Sequence, residues 1–275
     1  MWSCARALPL SIRKPLAIAL DRYTRLKKRH WYTTRLLEDY ARRHPENFQR
    51  FLWRYHLGRA AEYARAHGLD GGQLSASRIL FAQDLGTLLQ AHALRPRSVL
   101  EAGCADGNFL HYLEIVLGLD DAAWLGMDID ARALARGARQ LAAAGSRLCL
   151  RQGDLCQIPD CLDGQAFDLT ICAGVLRFFN AGHAAGVVAM LLRHTRQLLA
   201  LSGPAHPQYD NARLADSVLG ADHSYRHNLD ALVERAGGRV LRRRWQGAER
   251  LGGQSIYFVF AAPGLSRPGG GAPTR

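Results

Sequence analysis

The sequence predicts a doubly wound α/β domain with a mostly parallel seven-stranded sheet and an antiparallel C-terminal hairpin, preceded by an α-helical N-terminal extension. Three observations predict it. From residue 98 onward, short apolar runs alternate with stretches of helical periodicity. The last two strand-like runs have no helix between them and must pair as a hairpin. Before residue 95 apolar residues recur at three and four, and no strand-like run appears. The expected divisions are 1–94 for a helical cap, 95–262 for the α/β domain and 263–275 for a disordered tail.

In the extension, helical patterns occupy LAIALDRYTRL, WYTTRLLEDYARR and FQRFLWRYHLGRAAEYARAH, with His44-Pro45 interrupting the second and third. A fourth helix is expected at about Ser77–Ala93, before Arg95-Pro96. In the domain, SVLEA (98–102), AWLGMD (123–128), RLCLR (147–151), FDLTICA (167–173) and LLALSG (198–203) read as buried strands. Helices are expected over 108–117, 131–143, 183–196 and 228–236. GRVLRRRW (238–245) and QSIYFVFA (254–261) form the hairpin around Gly252-Gly253. The tail PGLSRPGGGAPTR is too rich in Pro and Gly to fold alone.

At 275 residues, 48% apolar and 22% charged, the chain has the composition of a globular protein, which excludes a disordered chain, a collagen-like repeat and a disulfide-stapled miniprotein. Its charge is lopsided. Lys and Arg total 36 against 24 acids, and only Lys14, Lys27 and Lys28 are lysines. Residues 1–60 carry fourteen of the cations and four acids, a net +10 of the total +12. The six cysteines form no CxxC pair and no zinc-ligand spacing, so no metal is expected, and they read as reduced, mostly buried thiols. No run approaches eighteen apolar residues, so no transmembrane segment is expected. The acid-free start has some presequence character, but lacks a clean apolar run and cleavage site, and a cytoplasmic location is expected.

In a sheet of this kind ligands bind beyond the carboxyl ends of the strands, where the winding reverses. The first strand-to-helix turn reads Glu101-Ala102-Gly103-Cys104-Ala105-Asp106-Gly107. Gly103 and Gly107 admit positive φ and the close approach of a ligand. A pyrophosphate would call for GxGxxG. Here the spacing is GxxxG, and Glu101 and Asp106 would repel a phosphate while suiting a ligand with an ammonium and a sulfonium centre.

ExGxxxG after the first strand resembles the S-adenosylmethionine (SAM) loop of class I methyltransferases of the small-molecule type. The resemblance covers residues 97–262 and recurs in order. Gly126-Met127-Asp128-Ile129-Asp130 is similar to the element whose acid grips the ribose hydroxyls, which implies that role for Asp128, with Asp130 second. Gly153-Asp154-Leu155 stands where the family places an acid on the adenine amino group. Phe167-Asp168-Leu169 opens the fourth strand, and Ala173-Gly174-Val175-Leu176 follows at the methyl-transfer edge. The resemblance therefore implies SAM as cofactor, S-adenosylhomocysteine (SAH) as product, and cofactor contacts from Glu101, Gly103, Cys104 and Gly107, from Asp128 and Ile129, from Asp154 and Leu155, and from Ala173.

Methyl transfer from a sulfonium is a direct displacement, so alignment and exclusion of water supply most of the acceleration, and a base helps where the acceptor must lose a proton. Over the carboxyl end of the fifth strand, residues 203–227 hold His206, Tyr209, His223, Tyr225 and His227. His223 or His227 is the expected base and Arg177 a candidate for holding an anionic group. The chain lacks the [DNS]-P-P-[YFW] element of exocyclic-nitrogen methylation after the fourth strand, and the Pro-Cys of cytosine-C5 enzymes. GVL followed by an aromatic resembles members acting on small metabolites, including sugar hydroxyls. The reading is a small-molecule methyltransferase, oxygen favoured over nitrogen. The alternatives are an RNA methyltransferase anchored by its basic helices and a non-catalytic SAM-binding protein. The aromatic residues of the cap are a lid or simply the core of the extension. The acceptor and the oligomeric state are not legible.

Overall fold

The computed structural model describes residues 8–23, 31–44, 75–157, 162, 164–220, 224–251 and 254–264. The chain forms two compact units. One comprises Met1–Gln73, Phe178–Asn180 and Leu219–Ser224, and the other Leu74–Arg177, Ala181–Val218 and Tyr225–Arg275.

In the first unit, helix α1 (Leu10–Tyr23) packs on α2 (Trp31–Arg43). Ala17 and Leu36 are buried between them, bordered by Leu10, Ile18, Tyr32 and Tyr40. Arg13 reaches Asp39 at 2.6 Å in the same interior. Arg42 and Arg43 also approach Asp39, at 3.6 and 3.3 Å, from the last turn of α2, where cations meet the negative end of the helix dipole.

The second unit holds α3 (Ala76–Ala91), α4 (Asn108–Val116), α5 (Ala131–Ala143), α6 (Ala181–Arg193) and α7 (Leu229–Arg235). Its strands are β1 (Ser98–Ala102), β2 (Ala123–Asp128), β3 (Cys149–Gln152), β4 (Phe167–Ala173), β5 (Thr195–Gly203), β6 (Arg239–Leu251) and β7 (Gln254–Ala262). They make one seven-stranded sheet in the order β3-β2-β1-β4-β5-β7-β6. The first five are parallel, and β7 runs antiparallel to both β5 and β6. The winding therefore reverses between β1 and β4, which pair through Glu101↔Ile171, and the ligand crevice of such a sheet opens there.

β1, β2 and β4 coincide with the expected runs, because apolar strands in the middle of a parallel sheet are buried on both faces and end where the turn begins. At the edges, side-chain tethers move the boundaries. β3 starts at Cys149 rather than 147, because Ser146 donates to Glu114 at 2.6 Å and the Arg147 N–H donates to the same carboxylate. β5 starts at Thr195, inside the stretch expected as helix. The His194 ring sits 2.6 Å from the Gln165 carbonyl while its own carbonyl accepts from Phe167 N–H, so helix passes directly into strand. β6 extends to Leu251 through a register shift against β7; the turn expected at Gly252-Gly253 lies outside the described residues, as does the tail from residue 265.

The sheet-bearing unit begins at Leu74, so α3 lies within it. Phe81 of α3 is 1% exposed and meets Phe109 of α4 and Phe258 of β7 edge-on, with centroids 5.9 and 5.1 Å apart. Asp84 of α3 is buried and accepts from Arg244 through both oxygens, and from Arg242 at 2.8 Å, which ties the helix to β6. Among the described cysteines Cys104 and Cys172 are buried, Cys156 is half-buried and Cys149, on the edge strand, is exposed.

Candidate functional site

The loops after β1, β2 and β3 are sewn together by backbone hydrogen bonds. Gly103 and Cys104 N–H both donate to the Met127 carbonyl, at 2.7 and 3.1 Å, and Gly153 N–H donates to the Asp128 carbonyl at 3.0 Å. Asp128, half-buried at the end of β2, accepts from Ala105 N–H on one oxygen (2.8 Å) and from Asp130 N–H on the other (2.9 Å). Its carboxylate is thus fixed in orientation. Asp130 instead caps α5, accepting from Arg132 N–H at 2.9 Å, a local duty that separates it from Asp128.

The turn after β1 has Gly103 at φ +85°, Ala105 at φ +52° and Gly107 at φ +78°. A Cβ on Gly103 would lie 2.3 Å from Cγ2 of Val175, so the loops after β1 and β4 approach too closely for any other residue at that position. On the other side, a Cβ on Gly137 of α5 would meet the Asp106 carbonyl oxygen at 2.0 Å, which explains a glycine inside an amphipathic helix. That mid-helix glycine was the available signal for this contact, and it is absent from the expected site.

Glu101, at the end of β1, is 1% exposed. It accepts a backbone hydrogen bond from Leu110 in the first turn of α4, a helix whose N-cap, Gly107, has no side chain to do so. Its Oε2 is buried without a hydrogen-bond partner. Burial pushes its pKa up to about 7; Asp128 and Asp106 add repulsion, while Arg78 opposes the rise. Burial likewise pushes the Cys104 thiol up, so this cysteine packs as an apolar group. A buried carboxylate with one oxygen unpartnered and two further acids nearby favours a cationic ligand, and an oriented carboxylate one loop away suits vicinal hydroxyls. On these observations the residues fit SAM.

Asp154 follows β3 and accepts from Cys156 N–H at 2.9 Å, capping the short 3₁₀ turn Leu155–Gln157, in which Leu155 is buried. Ile129 is half-buried and its carbonyl accepts from Gln152 at 3.4 Å. Ala173 ends β4, and Gly174 N–H donates to the Ser202 carbonyl of β5 at 3.0 Å.

On the acceptor side, His227 is 3% exposed and both ring nitrogens are engaged. Nε2 donates to the Leu176 carbonyl at 2.9 Å, since a carbonyl can only accept, and Nδ1 lies 2.7 Å from Ser217 Oγ, which then donates. The ring is a strut between the loops after β4 and β5, and neither nitrogen faces open space as the expected base would require. His223, the other expected base, lies outside the described residues. Arg177 is half-buried, next in the chain to the carbonyl that His227 holds.

Asn211, wholly buried, was not singled out in the sequence. Its Oδ1 accepts from His206 N–H (2.6 Å) and the Trp245 indole (3.1 Å), and its Nδ2 donates to the carbonyls of Pro204 (3.2 Å) and His227 (2.9 Å). It joins the whole post-β5 loop to β6. His206 stacks on exposed Tyr209 with centroids 3.7 Å apart, and burial together with Arg226 lowers its pKa.

Residues 99–197 match a family described as a methyltransferase domain. A search of curated protein sequences finds no match. Among solved structures, a magnesium protoporphyrin IX methyltransferase from Synechocystis PCC 6803 with bound SAH aligns with 74% of this chain and 97% of its own, at 18% identity and a TM-score of 0.53. An S-adenosylmethionine-dependent methyltransferase from Clostridium acetobutylicum covers the same shares at 9% identity and a TM-score of 0.56. A protein from Pyrococcus horikoshii covers 68% of this chain and 90% of its own at 14% identity and a TM-score of 0.51. The strand order and closing hairpin of the class I methyltransferase fold are thus present here.

Proposed function

We propose that this chain is a class I SAM-dependent methyltransferase and transfers a methyl group to an oxygen of a small-molecule acceptor. When bound, SAM supplies an electrophilic methyl group on a sulfonium whose leaving group is a neutral thioether. Glu101 meets the cofactor's ammonium with its unpartnered oxygen, and the turn from Gly103 to Gly107, with buried Cys104, lets it lie against the backbone. Asp128 takes the ribose hydroxyls, with Ile129 beside it, and Asp154 and Leu155 bound the adenine. Ala173 ends the strand that carries the methyl-transfer edge.

The acceptor side rests on one observation above others, the chain after β4. Ala173-Gly174-Val175-Leu176 packs Val175 against Gly103 and gives the Leu176 carbonyl to His227, with no Pro-Pro element to hold an exocyclic base nitrogen. His227 is in this reading a positioning residue that sets the loop leading into Arg177, and Arg177 holds an anionic group of the acceptor. The Synechocystis neighbour, by its name, acts on a small molecule, which is compatible with this reading.

The test is methyl-labelled SAM incubated with the full chain and, separately, with pools of hydroxylated metabolites, amines and RNA. The expected result is SAH release with label in a hydroxylated small molecule, identified as a methyl ether by NMR. Nuclease-sensitive label in RNA, or SAH binding without turnover on any acceptor, would overturn the proposal.

A further inference from the structure

Helix α1 packs one apolar face on α2 and leaves a second one exposed. Between residues 8 and 20 the exposed positions are Leu8, Pro9, Ser11, Ile12, Pro15, Leu16 and Ala19, and none of them is charged. The cations of the same stretch turn inward: Arg13 is 6% exposed in its ion pair with Asp39, and Lys14 is half-buried. Ile12 and Leu16, four apart on one face of the helix, are 50% and 37% exposed, and Leu8, just before its first turn, is 38% exposed. They are three of the seven large apolar side chains that stand exposed among the described residues.

The partner helix of the pair carries exposed arginines. The exposed side chains described on α2 are Arg35, Arg42 and Arg43, and three arginines share the single carboxylate of Asp39. The sequence from 1 to 60 is net +10. A second copy of the chain would bring the same charge to the same face, so self-association is disfavoured by repulsion. Exposed apolar side chains on a net-positive N-terminal segment match a surface that is anionic outside and apolar just beneath, which describes an anionic bilayer.

We propose that α1 docks on an anionic lipid surface, lying in its plane with Leu8, Ile12 and Leu16 entering the headgroup boundary while the arginines of the helical pair meet lipid phosphates. No described helix is long and apolar enough to cross a membrane, so the docking is peripheral. It does not depend on the identity of the methyl acceptor.

The experiment is co-sedimentation of the full chain with vesicles of phosphatidylcholine alone and of phosphatidylcholine mixed with phosphatidylglycerol, for the parent and for the double variant Ile12→Glu/Leu16→Glu. Each cation near an anionic surface contributes about fivefold in partitioning, and each large apolar side chain about tenfold or more. The parent should prefer the anionic vesicles by at least about tenfold, and the double variant should lose about tenfold or more of that binding. Because both substituted positions are exposed, melting temperature and SAH affinity should stay at the parent's values. Absence of parent binding, or equal binding by the variant, would overturn the proposal. So would a parent dimer that the variant converts to a monomer, or retention of RNA that the variant abolishes while vesicle binding persists.

Discussion

Replacing Glu101 by Gln should stabilise the ligand-free protein at alkaline pH while weakening its hold on SAM. The native carboxyl titrates at about 7 instead of 4.5 because it is buried. Between those pH values the folded chain binds more protons than the unfolded chain, so stability falls as pH rises through that window and is fully present only below 4.5. From pH 5 to pH 8 this single group removes about 2–3 kcal/mol. Gln cannot ionise, and its side-chain carbonyl can still accept from Leu110 N–H. Urea melts at both pH values should therefore show the variant gaining about 2–3 kcal/mol on the parent as pH rises. Cofactor binding should run the other way. A cation selects the ionised carboxylate, so the parent's affinity for SAM should rise about tenfold from pH 6 to pH 8, while the variant binds weakly with a flat profile. Parallel pH profiles for the two proteins, in stability or in affinity, would refute the burial argument and the assignment of Glu101 to the ammonium.

Gly103→Ala should lower SAM affinity at least about tenfold by calorimetry, because it forces a side chain into φ +85° and onto Val175; Val175→Ala in the same chain should restore part of the loss. Asn211→Leu should cost about 3 kcal/mol or more in urea, since it leaves buried donors and acceptors of His206, Trp245, Pro204 and His227 unpaired. His227→Gln, which can still donate to Leu176, should retain more than about a tenth of kcat once an acceptor is known, whereas loss of a true base costs about 10²–10⁴-fold. Phe81→Ala should lower stability by about 3–5 kcal/mol, as expected of a core ring that holds α3 to the sheet.

The sheet was legible wherever burial alone set a strand. Strands buried along their length, such as Val99-Leu100 and Leu169–Cys172, fit the middle of a parallel sheet. The ends of β3 and β5 were not, because they are set by Glu114 and Gln165, more than twenty residues away in the chain. The cofactor side was legible as a pattern of glycines and acids, since turn geometry and charge leave local marks. What completes it is long-range: Ala105 N–H on Asp128, Val175 over Gly103 and Asp106 against Gly137. The acceptor side was least legible. A histidine in a polar loop reads as a base, and only its Leu176 and Ser217 partners reveal a strut. The charge of the N-terminal segment was plain, but not that α1 turns Arg13 and Lys14 inward and Ile12 and Leu16 out.

The most direct test of the central claim is calorimetric titration of SAH into the full chain and into Asp128→Ala. The parent should bind at a single site and the variant should lose at least about tenfold, because it lacks the carboxylate proposed to take the ribose hydroxyls. Absence of binding to the parent, or equal affinity in the two proteins, would contradict it.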